Sequence, residues 1–355
     1  MSLEFDHTTL GQRVLFGAGR AAANLAEEVR LRGSAAVMVI AEGREAELAR
    51  RVTSGIDVAL HHDDVAPHVP VAKADKARAA AQEHGVDLLV SVGGGSTTGL
   101  AKAVALTSGL PIVAVPTTYA GSEATNVWGL TEAARKTTGV DDRVLPETVI
   151  YDAELTCSLP VELSVASGLN GLAHCVDSLW APRADPINAA LATEGMRTLA
   201  AGLPKVAADP HDLEGRDLAL YGAYLSAVSF ASAGSAMHHK ICHVLGGTYD
   251  LPHAQTHAIV LPHVLAHNAP AAPEAAERIA HALGGTDAVA SLVALRDGLA
   301  APKALRDVGL RESDLDEAAE LSAAAIPPSN PRPVTVEGVR RLLTAAWTGT
   351  APESS

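Results

Sequence analysis

Hydrophobic positions follow two different spacings along this chain. Up to about residue 150, short runs of β-branched residues alternate with alanine-rich stretches whose apolar residues recur at helical intervals. The predicted strands cover residues 13–16, 36–40, 87–92 and 111–115, and the predicted helices cover residues 20–32, 72–84 and 98–107. Alternation of this kind is typical of βαβ units with a parallel sheet.

After residue 155 the strand signals stop and the spacing becomes helical. In the first helix predicted there, the apolar stripe consists of Val165, Leu169, Leu172, Ala173, Val176, Leu179 and Trp180. Asn170, His174 and Asp177 share a different face of that helix. We therefore predict an α/β domain over residues 1–155 and an all-α domain over residues 156–355.

Charge and composition exclude several classes of protein. The formal net charge of −14 argues against nucleic acid or an anionic membrane as partner, because either would need a basic surface. The N-terminus lacks a basic segment followed by an apolar one, and no apolar run reaches transmembrane length, so we expect a cytoplasmic protein. The three cysteines lack C-x-x-C spacing, which argues against a disulfide framework or a zinc knuckle.

A glycine-rich turn follows the predicted strand over residues 87–92. The turn consists of Gly93, Gly94, Gly95 and Ser96. It would place open backbone N–H groups at the start of the next helix, where a phosphate can bind, although a flexible turn without a ligand is the alternative. Gly17 and Gly19 nearly fit a dinucleotide fingerprint, but they are the weaker candidate, because small residues there also let a helix turn back on the sheet.

Two further segments at predicted strand ends suit a dinucleotide. Glu42 could accept hydrogen bonds from an adenosine ribose and would repel the extra phosphate of NADP, unless it is only a solvated loop carboxylate. The loop after residues 111–115 offers hydroxyl groups to a nicotinamide or a phosphate, unless it is a plain polar turn. Its candidate residues are Thr117, Thr118, Tyr119 and Ser122. The α/β domain is therefore predicted to bind a dinucleotide.

Candidate chemistry in the second domain concentrates in histidines. His174 lies four residues after Asn170, and His239, His243 and His253 follow in one later segment. Three histidines and one further residue match the ligand number of a tetrahedral metal site. An amide oxygen is a poor substitute for an anionic ligand, so the residues leave open whether a metal is bound or has been lost.

Several motifs in the same order resemble the iron-containing alcohol dehydrogenases and, within that family, the maleylacetate reductases. The resembling segments are residues 93–102, 116–123, 128–132, 152–156, 159–160, 238–243 and 330–333. The resemblance implies an α/β dinucleotide-binding domain followed by an all-α domain, as in the dehydroquinate synthase-like fold. It also implies a homodimer. The implied reaction is reduction of the carbon–carbon double bond of maleylacetate, a small keto-dicarboxylate, with NADH, and also NADPH, as the coenzyme. The product would be 3-oxoadipate, formed in the breakdown of aromatic compounds.

The resemblance also bears on metal binding. In the metal-dependent members an aspartate and three histidines hold a divalent ion, and the matching positions here are Asn170, His174, His239 and His253. Loss of the only carboxylate implies a vestigial site without a metal. Gly99 stands where those members usually carry an aspartate. Lys136 matches a lysine that contacts the cofactor, unless it is simply an exposed loop lysine.

The chemistry offers a reason why a metal could be dispensable. Reducing a simple carbonyl builds an alkoxide, which calls for a Lewis acid, whereas hydride addition to a conjugated alkene builds an enolate that hydrogen-bond donors can stabilise. We expect His243 to donate the proton, Asn170 to orient His174, and Lys240 to anchor a carboxylate unless it only lies on a solvated helix face. The expected anion-holding set is His174, His239 and His253, with some of them protonated.

Two other functions stay open at this point. One is a metal-dependent alcohol dehydrogenase of the same family, with iron or zinc and with Asn170 coordinating through its amide oxygen. The other is a non-catalytic protein that binds metal or nucleotide, against which the complete set of cofactor loops argues. His257, His263 and His267 are expected to be structural histidines, satisfied by backbone carbonyls or solvent.

Overall fold

The chain forms two compact units. The computed structural model describes residues 4–132 and 135–352, without the side chains of residues 135 and 136. One unit is Leu10–Leu159, and the other contains the residues from Pro160 onward together with the N-terminal residues up to Thr9. His7 joins the N-terminus to the second unit, because its Nδ1 lies 2.9 Å from Oδ2 of Asp185.

Strands and helices alternate in the first unit. In chain order they are β1 (Arg13–Phe16), α1 (Ala21–Arg32), β2 (Val37–Ile40), α2 (Ala46–Val52), β3 (Val58–His62), α3 (Val71–Glu83), β4 (Leu88–Gly93), α4 (Gly95–Ser108), β5 (Ile112–Pro116), β6 (Val127–Glu132), β7 (Arg135–Val140) and β8 (Thr148–Tyr151). β6 and β7 pair as a separate antiparallel hairpin. The remaining strands form the predicted parallel sheet.

The main sheet has six strands in the order β1-β8-β5-β4-β2-β3. Every residue of β2, β4, β5 and β8 is buried, as expected for a parallel sheet covered by helices on both faces. Gly93 at the end of β4 pairs in register with Pro116 at the end of β5. The glycine turn and the threonine loop therefore leave the sheet side by side, at the edge where α/β sheets bind ligands.

Helices make up the second unit. They are α5 (Val161–Ser178), α6 (Pro186–Ala208), α7 (Leu213–Ala233), α8 (Met237–Tyr249), α9 (His253–Asn268), α10 (Pro273–Ala282), α11 (Ala288–Gly298), α12 (Leu315–Ala325) and α13 (Val336–Thr348). Residues 164–178 of α5 are all buried, so this helix is enclosed on every side. Among the helices of the described ranges, none is both long and apolar enough to cross a membrane.

The α/β and all-α architecture agrees with the prediction, while several element bounds differ. α4 begins at Gly95 and not at residue 98, because Gly95 and Ser96 already belong to its first turn. β3, β8 and the β6–β7 hairpin were not predicted; β3 is an edge strand of alternating burial, and its polar residues hide the strand signal. α5 ends at Ser178, so Leu179 and Trp180 lie beyond it.

Candidate active site

The glycine turn forms an open helix N-terminus. Gly93 has a φ of +151°, and a Cβ there would lie 2.5 Å from Oγ1 of Thr97. A Cβ on Gly94 would lie 2.9 Å from Cγ2 of Thr118. α4 begins at Gly95 and receives no side-chain cap, so its first N–H groups are left for a ligand. The turn therefore fits a phosphate group.

The other glycine turn is closed by the protein's own carboxylate. Asp152, which is buried, accepts hydrogen bonds from the backbone N–H groups of Gly19 and Ala21 over 2.8 and 3.0 Å. A Cβ on Gly19 would also lie 3.0 Å from a carboxylate oxygen of Glu154. The N-terminus of α1 thus already holds an anion, which is why Gly17 and Gly19 are the weaker phosphate candidate.

The threonine loop after β5 packs against the glycine turn. The backbone N–H of Thr117 donates to the carbonyl of Gly93 over 3.2 Å, and the Thr117 hydroxyl donates to Glu45 over 2.7 Å. Tyr119 is fully buried, so its ring supports this loop from the inside. Glu45 was not singled out from the sequence, where it is one of several acidic residues in a polar segment.

Lys102 of α4 anchors the far end of the same loop. Its ammonium donates to the carbonyl oxygens of Ser122, Thr125 and Val127 over 2.6, 2.8 and 2.9 Å. Burial lowers the pKa of Lys102 to about 7, although Glu123 acts to raise it. The carbonyl of Ser122 is therefore engaged in holding the loop, while its hydroxyl stays a candidate contact for a ligand.

The two remaining predicted cofactor contacts are Glu42 and Lys136. Glu42 follows β2, and its partly exposed carboxylate pairs with Arg44 over 2.7 Å. This pairing partly neutralises the charge that was expected to repel an extra phosphate. Lys136 lies on β7, and its side chain falls outside the described residues.

Three helices bring the predicted histidines together. The predicted set is Asn170 and His174 on α5, His239 and His243 on α8, and His253 at the start of α9. The rings of His174 and His239 stack with 4.8 Å between their centroids, and the ring of His243 lies 6.1 Å from that of His239. His257, expected to be structural, lies between His239 and His253, with ring centroids 4.9 and 4.3 Å away.

A buried carboxylate, Asp177, orients this cluster. It accepts hydrogen bonds from the backbone N–H groups of Ala236, His238 and His239 over 3.2, 3.3 and 3.0 Å, and from Nδ1 of His239 over 2.7 Å. Burial raises the pKa of Asp177, but the converging N–H donors act in the opposite direction because they bind the ionised form. With Nδ1 of His239 donating, Nε2 carries the lone pair. The sequence placed Asp177 on the face of Asn170 and His174 but gave it no role.

Burial sets the charge of the stacked pair. His174 and His239 are 8% and 2% exposed, and Phe230 of α7 contacts both rings, with centroids 4.6 and 4.3 Å away. Burial lowers the pKa of His174 to about 4 and that of His239 well below its usual value. Both imidazoles are neutral near pH 7, so these two are not among the protonated members of the expected anion-holding set.

Several buried polar atoms of the cluster have no hydrogen-bond partner within the described residues. They are Oδ1 of Asn170, Nδ1 of His174, and Nε2 of both His239 and His257. Lys240, half-buried on α8, forms no ion pair with any of the described residues. Buried polar atoms are normally satisfied, so unsatisfied ones in one place indicate that water or a ligand binds there. Nε2 of both His263 and His267 also has no protein partner among the described residues, which leaves solvent as the expected partner of these two nitrogens.

A second set of metal-type side chains lies beside the cluster. Among the described residues, His238, Cys242 and His257 are the group of three whose ligand atoms all lie within 4.8 Å of one another. Nε2 of His238 and Nδ1 of His257 are hydrogen-bonded over 2.9 Å, and burial raises the pKa of Cys242 well above its usual value. Two imidazoles bonded to each other beside a protonated thiol fit a hydrogen-bonded core better than a ligand set.

Both halves of the chain match models of one family. The model described as iron-containing alcohol dehydrogenase covers residues 11–153. The model described as Fe-containing alcohol dehydrogenase family, C-terminal, covers residues 164–347.

Relatives of known name match the chain over nearly its full length. A protein named maleylacetate reductase from Delftia acidovorans is 47% identical over 99% of this chain and 100% of its own. The crystal structure of an iron-containing alcohol dehydrogenase from Corynebacterium glutamicum is 64% identical with a TM-score of 0.96, covering 98% of each chain. That of maleylacetate reductase from Agrobacterium tumefaciens is 41% identical with a TM-score of 0.94, covering 99% of this chain and 100% of that one.

Replacing Asp177 by asparagine should destabilise the helical unit. The amide keeps one acceptor but turns an NH2 group toward backbone N–H donors, which should cost about 2–4 kcal/mol in the free energy of unfolding. Asp212→Asn is the matched control, because Asp212 caps α7 through one N–H bond and asparagine caps equally well. Equal urea midpoints for Asp177→Asn and the native protein would contradict this role.

Lys102 should make stability depend on pH. Its folded pKa of about 7 lies below the usual 10.5, so folding releases a proton between these values, and the native protein gains stability as pH rises through that window. Relative to Lys102→Met, the gain should approach about 1.4 kcal/mol per pH unit in urea unfolding between pH 7.5 and 9. The exposed Lys76→Met supplies a control that should show no such slope, and a flat difference for Lys102→Met would rule out the shift.

Proposed function

The chain belongs to the iron-containing alcohol dehydrogenase family, and on that premise we propose that it reduces the carbon–carbon double bond of maleylacetate with NADH, giving 3-oxoadipate. The observation that carries this proposal is 47% identity, over 99% of the chain, to a protein named maleylacetate reductase. The replacement of the family's metal-binding aspartate by Asn170 supports the same choice within the family.

NADH, when bound, supplies a hydride to the alkene carbon remote from the ketone. The glycine turn at the start of α4 and the threonine loop beside it hold the diphosphate, through N–H groups that no side chain caps. Glu42 favours NADH over NADPH, and its pairing with Arg44 makes this preference modest. Both coenzymes are therefore substrates, with NADH the better one.

The enolate that forms needs hydrogen-bond donors and a source of a proton. His239 does not stabilise the anion, because its Nδ1 hydrogen is bound to Asp177 and its Nε2 accepts. His243 and His253, which are exposed, and Lys240 therefore face the substrate's anionic groups. His243 protonates the carbon next to the ketone and regains its proton from solvent, while Lys240 anchors a carboxylate. Asn170 keeps the neutral His174 oriented.

No metal ion takes part in this scheme. The family's four-ligand site does not fit these residues: its carboxylate is an amide here, and the buried carboxylate nearby, Asp177, already accepts hydrogen bonds from five N–H groups.

The activity is tested by mixing the protein with NADH and maleylacetate and following the loss of NADH absorbance. Rapid oxidation is expected with maleylacetate, because its alkene is conjugated with a ketone, and none with 3-oxoadipate, which lacks the alkene. NADPH in place of NADH should give slower turnover. Absence of turnover with maleylacetate, alongside oxidation of simple primary alcohols with NAD, would favour the metal-dependent alternative.

Metal analysis tests the metal-free scheme. The purified protein should contain less than stoichiometric iron and zinc, and chelation should leave turnover unchanged. Asn170→Asp should bind divalent ions more tightly, because it restores the anionic ligand. One observation favours the metal-dependent alternative. Asp177 orients His239, and a carboxylate that orients a histidine in this way is a common partner of a metal ligand. Stoichiometric metal whose removal abolishes turnover would therefore replace the scheme.

A further inference from the structure

Glu45 places a carboxylate inside the glycine turn. It ends the short 3-10 turn Gly43–Glu45 that follows β2. Its Oε1 accepts the hydroxyl hydrogen of Thr117 over 2.7 Å, and its Oε2 lies 2.5 Å from where a Cβ on Gly93 would stand. The carboxylate therefore contacts both loops that leave β4 and β5.

The carboxylate lies beside the N-terminus of α4, where a phosphate would bind. The N-terminus of α4 carries a partial positive charge and uncapped N–H groups, and Thr117 offers a hydroxyl. A dinucleotide diphosphate placed there would meet a second negative charge at contact distance. The charged neighbours of Glu45 are Arg44, which favours its ionised form, and Glu42, which opposes it.

We propose that the carboxylate of Glu45, which lies beside the phosphate position, repels the diphosphate of the cofactor, and that this repulsion lowers the affinity of the site for dinucleotides. The inference rests on the proposed binding of NADH at the glycine turn. The carboxylate lies on a short, partly exposed turn and accepts a hydrogen bond from the side chain of Thr117. The site therefore binds its cofactor less tightly than its N–H groups and hydroxyls would allow.

Burial raises the pKa of Glu45, so the repulsion between its carboxylate and a phosphate should depend on pH. As pH falls through this raised pKa, the carboxyl becomes neutral and stops opposing a phosphate. The affinity of the native protein for a diphosphate should then rise toward that of a variant with a neutral side chain at position 45.

The variant that tests this is Glu45→Gln, which keeps the length of the side chain and an acceptor for Thr117 but removes the charge. Binding of NADH, ADP-ribose and adenosine to the full chain is measured by calorimetry. The variant should bind NADH and ADP-ribose about two- to fivefold more tightly at pH 8, as one screened charge at a helix terminus predicts. Adenosine, which lacks phosphate, should bind equally to both proteins, and the gain for NADH and ADP-ribose should shrink as the pH is lowered.

Glu47→Gln is the matched control, since Glu47 is an exposed glutamate on α2 and should leave all affinities unchanged. Equal dissociation constants for Glu45→Gln and the native protein overturn the inference, and weaker binding by the variant overturns it by making Glu45 a cofactor contact. A gain that extends to adenosine also overturns it. If the native protein binds neither NADH nor ADP-ribose, the proposed function fails instead.

Discussion

The helical unit is organised around the carboxylate of Asp177, which is 0% exposed and satisfied entirely by N–H donors. It closes the N-terminus of α8 from a position on α5, so it fixes these two helices against each other through backbone groups and not only through side-chain packing. The same oxygen atoms determine which nitrogen of His239 faces the cluster. The carboxylate of Asp177 thus determines both the position of α8 against α5 and which nitrogen of His239 can accept a hydrogen bond.

Asp177, Asp152 and Glu45 each lie beside the start of a helix, and each has a different consequence. Asp177 stabilises α8 and orients a histidine, while Asp152 closes the N-terminus of α1. Glu45 lies beside the start of α4, where, within the described residues, no side chain caps the first backbone N–H groups, so this terminus stays available to a ligand. Carboxylates therefore close two of these helix N-termini as structural anions, while the third N-terminus stays open to a ligand beside its carboxylate.

Local sequence patterns predicted the α/β and all-α architecture and the residues that share one face of α5. The glycine turn and the spacing of Asn170 and His174 are visible because they depend on neighbours in sequence. Asp177 was seen on that face, but its bond to His239 spans 62 residues and no local pattern reports it. Protonation was not predictable, since the neutral state of His174 follows from burial by three helices. The structure also gives Gly99 a physical account, because a Cβ there would lie 2.9 Å from Val69.

The position of β1 in the sheet has a consequence for how the protein folds. β1 is an edge strand whose neighbour is β8, with Arg13 opposite Thr148, so the first strand of the described unit pairs with its last one. The four inner strands can assemble from segments that are closer in sequence. During translation, β1 can therefore pair with β8 only after more than a hundred further residues have been synthesised. This strand joins the sheet late although it precedes the other strands of its unit.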